Sequence, residues 1–416
     1  MSNTERVAVI GGARTPFAKA GTHLREKTAL ELGAHSVNGV LSKLDLDPAV
    51  VDELVYGIVT VDARVPHLAR EVNFASRLPD SVRSVTVTDN CITSVTAVES
   101  VRDSIIAGRT RVGIAGGVES LSNPSVLWSR RATRVLSDLQ GAKTVGDKAR
   151  ILSRLRPGDF VPKPPGVNEP STSLSMGEHT ELTVKEWGIS RSEQDEIAYR
   201  SHMNATAATA DGRLTAEIHP LDGITSDTMI RPSTSMEKLA KLSPVFDPTP
   251  TGTLTAGNSS PLTDGAASVV LMSEAAADEH GYSPLAYVKG IEFASISPKD
   301  GLLMGPGVAV PRLLRRLGLA LDDFDLIEMH EAFGGQVASN LAAWEHGWKE
   351  DPIGKVDREK LNQLGGSIAI GHPFAATGAR IVSQLANEMA RRNAQYALIS
   401  ICGAGATAAA VVLERT

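Results

Sequence analysis

Strand-like and helix-like runs alternate along much of this chain, a pattern typical of α/β folds whose mostly parallel sheets are buried on both faces. One unit of the pattern comprises a strand-like run at 84–90, Cys91, a helical stretch to Ala107 and a strand at 111–115. Two glycines follow that last strand, and glycine allows close backbone packing. We therefore expect an α/β fold built from units of this kind.

A second unit repeats the same order of elements near the C-terminus. A strand is predicted at 367–370, followed by His372, a helical stretch at 378–392 and a strand at 396–401 that ends at Cys402. The two units match in order and in the location of their special residue, which follows the first strand. A duplicated fold is predicted, with a site where the turns of the two halves converge.

The middle of the chain departs from this alternation, because proline-rich loops and isolated helix-like segments replace it. At 416 residues the chain also exceeds the usual size of a single compact core. We predict an N-terminal half at 1–122 plus 252–275, an inserted loop or lid domain at 123–251, and a C-terminal half at 276–416.

The composition narrows the class of protein. A net charge of −6 argues against general nucleic-acid binding, and two cysteines cannot form a disulfide framework. The chain enters a strand-like run at 7–10 and leaves no room for a cleavable leader, so a cytoplasmic location is expected. The uncharged segment 396–413 could just span a bilayer, but its glycine turn predicts two short buried strands instead.

Both cysteines and His372 lie where a strand-like run meets a turn. A cysteine that opens a helix lies near the positive end of the helix, so a lowered thiol pKa is expected at Cys91. Two thiols and an imidazole suggest a nucleophile, an acid and a base. The alternative is that each cysteine packs as a small hydrophobic side chain, since free cysteine is among the most buried residue types.

The segment 130–163 is basic within a chain that is acidic overall, with nine Lys or Arg residues against three Asp. Apolar residues at helical spacing, at 135–139 and 151–155, lie beside these charges. Such a segment is either a solvated face or a docking surface for a partner or an anionic membrane surface.

A set of short motifs then indicates a family. In chain order they are Ala13-Arg-Thr-Pro-Phe-Ala-Lys19, Ala115-Gly-Gly-Val-Glu-Ser120, Ser175-Met-Gly177, Gly252-Thr-Leu-Thr-Ala-Gly-Asn-Ser-Ser260, Asp264-Gly-Ala-Ala267, His330-Glu-Ala-Phe333, Gly371-His-Pro373 and Cys402. In this order and spacing they resemble the thiolases, a family of acyl-CoA acyltransferases, over essentially the whole chain. The resemblance implies a thiolase-like duplicated α/β/α/β/α five-layered fold with an inserted loop domain.

The resemblance also implies catalytic roles for four residues. Cys91 would be the nucleophile that holds the acyl group, and His372 would activate it. Cys402 would act as acid and base, a task that suits a thiol because its ordinary pKa of about 8.5 lies near working pH. His330 occupies a position where many thiolases have Asn, and would line an oxyanion pocket with His372. This histidine is similar to that of the trifunctional-enzyme β-subunits.

The remaining site residues are also implied by the resemblance. Backbone N–H groups of Cys91 and Ala404 would form the second oxyanion pocket. Met176, Ala256 and Ser260 would contact CoA, with Met176 near the acyl end. We expect no permanently bound cofactor and no metal, since no Cys/His cluster has metal-ligand spacing along the sequence. Coenzyme A would be a substrate.

By resemblance, the expected activity is thiolytic cleavage of 3-ketoacyl-CoA in fatty-acid β-oxidation. The alternatives are the reverse condensation of two acetyl-CoA molecules, or a weakly active subunit that binds acyl-CoA or serves as a scaffold. Retention of both cysteines and both histidines argues against the last. Expected partners are a second copy in a homodimer or homotetramer, and a hydratase/dehydrogenase α-subunit or a membrane surface at 130–163.

Overall fold

The computed structural model describes residues 5–162, 166 and 168–415. Lys163, the last cation of the basic segment, lies outside the described residues. The strands are β1 Val7–Arg14, β2 Ala18–Lys19, β3 Glu53–Gly57, β4 Arg83–Val87, β5 Val112–Glu119, β6 Thr263–Ser273, β7 Ala286–Ser295, β8 Leu326–Met329, β9 Tyr396–Gly403 and β10 Thr407–Glu414.

The helices alternate with these strands in both halves and accumulate between β5 and β6. They are α1 Ala29–Lys43, α2 Leu68–Ala75, α3 Thr93–Ile106, α4 Arg130–Gly141, α5 Val145–Leu152, α6 Met176–Glu186, α7 Arg191–Ala210, α8 Met236–Ala240, α9 Glu274–Glu279, α10 Pro306–Leu317, α11 Gly334–His346, α12 Ser367–Ile370 and α13 Thr377–Arg392. The segment predicted as an inserted domain, 123–251, thus carries helices α4 to α8, and its boundaries stay a prediction.

The sheet pairing repeats across the centre of the molecule. Within the described residues the order is β4-β3-β5-β6-β1-β7-β10-β9-β8, with β2 attached to β6. In the first half β3 and β5 are parallel, and β6 and β1 then follow antiparallel. In the second half β8 and β9 are parallel, and β10 and β7 follow antiparallel. The predicted duplication is therefore visible as two matching halves that meet where β1 pairs with β7.

In the described residues, three large apolar cores fill the spaces between the layers of helix and sheet. One core joins α1 and α2 to the first half, and another joins α10 and α11 to the second half. The third contains residues of α3 and α13 together with strands of both halves. Gly378 allows α3 and α13 to approach, because a Cβ atom at this position would lie 2.8 Å from Val95 Cγ2. The central core therefore fixes the turns that precede these two helices relative to each other.

Two sequence predictions about the C-terminal half have different outcomes. The uncharged segment 396–413 forms β9 and β10, joined by a tight turn, so the prediction of two strands is confirmed. The predicted strand at 367–370 is wrong, because these residues form the single turn α12. Side chains satisfy backbone donors there: Gly366 N–H donates to Ser201 and Ile368 N–H donates to Glu331. A four-residue apolar run fits either structure, and these neighbours select the helical turn.

Among the helices of the described residues, none combines the length and the apolar character that crossing a bilayer requires.

Candidate active site

Cys91 lies in the 3-10 turn Asn90–Ile92, between β4 and α3. Asn90 adopts a positive φ of 47°, and its side-chain amide donates to the backbone carbonyl of Ala404 over 2.8 Å. Cys91 itself keeps partial exposure. The turn therefore anchors the nucleophile candidate of the first half against the β9–β10 turn of the second half.

His372 lies beside this thiol. Its Nε2 is 3.2 Å from Cys91 Sγ, and its Nδ1 is 2.7 Å from Thr377 Oγ1. Burial, followed by the charge of Arg380, lowers the pKa of His372 to about 3. The imidazole is therefore neutral near pH 7. With Nδ1–H donated to the Thr377 hydroxyl, Nε2 is free to accept the thiol proton.

The expected lowering of the Cys91 pKa is wrong. Burial raises the pKa of this thiol to about 11, against the smaller opposing effect of backbone N–H groups of Ala404 and Cys91. Glu119 raises it further through its charge. The protein atoms packed around the sulfur, rather than the end of α3, decide the direction. The pair of Cys91 and His372 is consequently a neutral thiol beside a neutral imidazole.

His330 follows β8 and is completely buried. Its Nδ1 is 2.8 Å from Ser367 Oγ, whereas its Nε2 has no hydrogen-bond partner among the described residues. Its ring centroid is 4.1 Å from that of His372. Donor atoms of His330, His372 and Cys91 all lie within 4.8 Å of one another, close enough for a metal ion, although the sequence spacing indicated no such cluster. The fold thus brings the two histidines and the thiol into one site.

Cys402 lies in β9 and is buried. Burial, followed by the proximity of Cys91, raises the pKa of its thiol well above the ordinary value. It belongs to an apolar cluster with Leu254, Leu303 and Phe333, against which Met176 packs. The two thiols therefore lie close enough to influence each other, Cys91 beside an imidazole and Cys402 beside apolar side chains.

The chain matches two family models along most of its length. The model described as "Thiolase, N-terminal domain" matches residues 7–275, and the model described as "Thiolase, C-terminal domain" matches residues 282–415. The chain belongs to the thiolase family.

Relatives and solved structures agree with this assignment. A protein named 3-ketoacyl-CoA thiolase from Pseudoalteromonas translucida is 44% identical over 423 residues, covering 99% of this chain and 97% of the relative. One with the same name from Colwellia psychrerythraea is 41% identical over 426 residues, covering 99% and 98%. Human mitochondrial 3-ketoacyl-CoA thiolase has a TM-score of 0.84 at 28% identity, covering 99% of this chain and 100% of that chain. The acetyl-CoA acetyltransferase of Bacillus anthracis has a TM-score of 0.85 at 30% identity, covering 99% of each chain.

The three CoA-contact candidates of this thiolase lie on two segments beside the site. Met176 begins α6 and borders the cluster around Cys402. Ala256 is exposed and Ser260 is partly exposed, both on a loop that runs next to the His330 motif. Ser260 N–H donates to the carbonyl of Ala332 over 2.9 Å. Their contacts with CoA stay a prediction, because they were assigned by resemblance alone.

The side chains that hold the catalytic candidates in place were not predicted from the sequence. They are Ser367 and Thr377 beside the histidines, Arg380 behind Ser367, and Glu119 near Cys91. Burial raises the pKa of Glu119 to about 7, although its carboxylate accepts the backbone N–H groups of Val59 and Thr60. Glu119 lies within the motif at 115–120, and Thr377 lies shortly after the motif at 371–373. Only the fold shows which atoms these two residues contact.

Proposed function

We propose that this thiolase cleaves 3-ketoacyl-CoA with coenzyme A, giving acetyl-CoA and a shortened acyl-CoA, as a step of fatty-acid β-oxidation. The observation that carries the proposal is the 3.2 Å contact between Cys91 Sγ and His372 Nε2. The proximity of the second thiol, that of Cys402, to Cys91 supports it, because thiolysis needs a nucleophile and a separate acid and base.

In the first half-reaction, Cys91 Sγ attacks the keto carbon of the substrate while His372 Nε2 takes the thiol proton. The bond between the second and third carbons then breaks. Its electron pair leaves as the enolate of acetyl-CoA, and Cys402 protonates that enolate at carbon. Acetyl-CoA departs, and the acyl group stays on Cys91 as a thioester.

In the second half-reaction, the thiolate of Cys402 takes the proton from the thiol of an incoming coenzyme A. The coenzyme A sulfur attacks the thioester carbon, and Cys91 leaves with the proton that His372 held. Both catalytic thiols return to their neutral forms, which agrees with the raised pKa of each.

Negative charge develops on a carbonyl oxygen in each step, so donors aimed at these oxygens carry much of the rate enhancement. We assign one pocket to His330 and His372, supported by the unpartnered Nε2 of His330. We assign the other to the backbone N–H groups of Cys91 and Ala404, supported by their effect on the Cys91 thiol. A backbone donor serves with any side chain except proline.

The reverse reaction, condensation of two acetyl-CoA molecules, is the second candidate. The similarity to the Bacillus anthracis acetyl-CoA acetyltransferase favours it, and the same catalytic groups would serve. The named 3-ketoacyl-CoA thiolases share more of their sequence with this chain, at 44% identity for the Pseudoalteromonas translucida protein. We therefore place cleavage first.

A second copy of the chain is proposed as one partner. Strand β4 ends the path of the sheet, and Ser84, Val85, Thr86 and Val87 are only partly buried. An edge strand with open backbone groups is a template for pairing with another strand. Pairing of two β4 strands would cover this edge in a homodimer and would shield the turn that carries Cys91.

A hydratase/dehydrogenase subunit is proposed as the partner of the α4–α5 hairpin. Ala132, Val135 and Ile151 are buried, whereas other apolar side chains near the hairpin are about half exposed or more. The exposed ones are Leu127, Trp128, Leu136, Val145, Phe160 and Val161. They stand among exposed cations, a combination that suits an acidic protein surface; a membrane surface is the alternative that vesicle binding would reveal.

The activity is tested by incubating purified protein with coenzyme A and 3-ketoacyl-CoAs of graded chain length. Acetyl-CoA and an acyl-CoA two carbons shorter are the expected products. Turnover of acetoacetyl-CoA alone would favour the short-chain acetyltransferase. Binding of all substrates without cleavage would support the scaffold alternative and would contradict the proposed function.

A further inference from the structure

His330 makes a buried polar contact with Ser367 that has no role in the proposed steps of thiolysis. Its Nδ1 lies 2.8 Å from Ser367 Oγ, and that oxygen lies 3.3 Å from Arg380 Nη2. All three residues are at most 1% exposed. The three side chains therefore form a hydrogen-bond network that reaches the imidazole at Nδ1, whereas Nε2 is unpartnered among the described residues.

The hydroxyl hydrogen of Ser367 has a partner among the described residues in only one arrangement of these donors and acceptors. A guanidinium group can only donate, so Ser367 Oγ accepts from Arg380. If the same oxygen also accepted a hydrogen from His330 Nδ1, the hydroxyl hydrogen of Ser367 would have no acceptor among the described residues. Ser367 therefore donates this hydrogen to Nδ1 of His330. A neutral imidazole whose Nδ1 accepts must carry its hydrogen on Nε2. His330 is neutral, since burial and the neighbouring His372 hold its pKa well below the ordinary value.

Arg380 is itself held in a fixed orientation. Its Nη1 donates to Glu328 over 3.0 Å and to Gln384 over 2.9 Å. Glu328 lies on β8, two residues before His330, and Gln384 lies one turn after Arg380 on α13. The arginine therefore ties the helix that follows His372 to the strand that precedes His330.

We propose that Ser367 and Arg380 are positioning residues that hold His330 in the Nε2–H tautomer, so that the imidazole presents a hydrogen-bond donor to the substrate oxyanion. The kinetic consequence rests on the proposed function, whereas the tautomer does not. In the other tautomer, Nε2 would direct a lone pair at the oxyanion. The ring would occupy the same space but would repel the developing charge.

Substitution of Ser367 by alanine removes the hydroxyl hydrogen and leaves the ring of His330 in place. We expect Ser367→Ala to lower kcat for thiolysis by about tenfold with little change in KM, as for a weakened donor that acts in the transition state. Ser400→Ala is the matched control. Ser400 is also buried, its hydroxyl has no partner in the described part of the chain, and we expect kcat within about twofold of the wild type.

A double-mutant cycle separates tautomer control from general damage to the site. Asn can donate from its amide without choosing between ring tautomers. In the His330→Asn background, Ser367→Ala should therefore change kcat by less than about twofold. A tenfold loss in both backgrounds would show that Ser367 supports the site without acting through His330, and would overturn the proposal.

The tautomer is measured directly by NMR of protein labelled with nitrogen-15 in its histidines. The His330 signals are those that His330→Asn removes. We expect a protonated Nε2 and an unprotonated Nδ1 in the wild type, and a mixture of tautomers in Ser367→Ala. A protonated Nδ1 in the wild type would overturn the proposal. If the protein proved inactive on 3-ketoacyl-CoA, the proposed function would fail while this measurement would still decide the tautomer.

Discussion

At the scale of single residues, the protonation state of the Cys91 thiol can be tested by its chemical reactivity. Cys91 and Cys402 are the only cysteines of the chain, so the Cys402→Ala variant leaves Cys91 as the sole thiol. Burial raises the Cys91 pKa to about 11, so its thiolate fraction should rise about tenfold with each pH unit from about pH 6 to pH 9. Alkylation by iodoacetamide, followed by whole-protein mass spectrometry, should accelerate accordingly. A rate independent of pH would indicate a thiolate–imidazolium pair instead.

The second thiol is expected to act only in proton transfer. Cys402→Ala should still accept an acyl group on Cys91 from a simple acyl-CoA donor. It should lose overall cleavage by about 10²-fold, the scale of a missing general acid or base. Steady-state kinetics beside an acyl-enzyme assay measures both quantities. Near-normal cleavage would mean that Cys402 is only a packed apolar side chain.

His330 should stabilise the transition state more than it strengthens substrate binding. We expect His330→Ala to lower kcat by about 10²-fold with little change in KM, as for a lost oxyanion donor. His330→Asn should recover part of that loss because an amide also donates. Michaelis–Menten analysis of both variants provides the comparison, and equally small effects would remove His330 from the oxyanion pocket.

At the scale of elements, we expect the α4–α5 hairpin to bind a partner subunit and to take no part in catalysis. Arg131 and Arg154 pair with Asp159 and Asp138, so they support the hairpin itself. The test therefore reverses exposed cations with no ion pair among the described residues. These are Arg130, Arg134, Lys143 and Lys148.

Changing these four residues to Glu should weaken association with a hydratase/dehydrogenase subunit, most clearly at low salt, where surface charges are less screened. Turnover of short substrates should stay nearly intact. Sedimentation and pull-down measure the association, and reversal of the exposed cations Arg25, Lys299 and Lys355 serves as the control. Loss of vesicle binding instead would identify a membrane surface, and no effect on either would remove the docking role.

Sequence patterns predicted the elements better than the contacts between them. The strands flanking Cys91 and the β9–β10 pair follow from local apolar runs and glycine turns, which the chain displays directly. The helical turn α12 was missed because Ser201 and Glu331, distant in sequence, satisfy its backbone donors. The direction of the Cys91 pKa was also missed, because burial depends on packing from both halves.

At the scale of the whole molecule, the site depends on the way in which two similar halves pack together. Cys91 belongs to the first half, whereas His330, His372 and Cys402 belong to the second. The β1–β7 pairing and the α3–α13 contact bring Cys91 Sγ to 3.2 Å from His372 Nε2. Neither half contains the proposed nucleophile together with its proposed base, so the proposed chemistry requires both halves of the duplicated fold.

The central claim is that Cys91 carries the acyl group. The most direct measurement is acid-quenched peptide mass spectrometry after incubation with an acyl-CoA donor in the absence of free coenzyme A. We expect one acyl group on the peptide that contains Cys91. It should be retained in Cys402→Ala, and both the acyl group and turnover should be absent in Cys91→Ala. Acylation of a different residue, or turnover by Cys91→Ala, would contradict it.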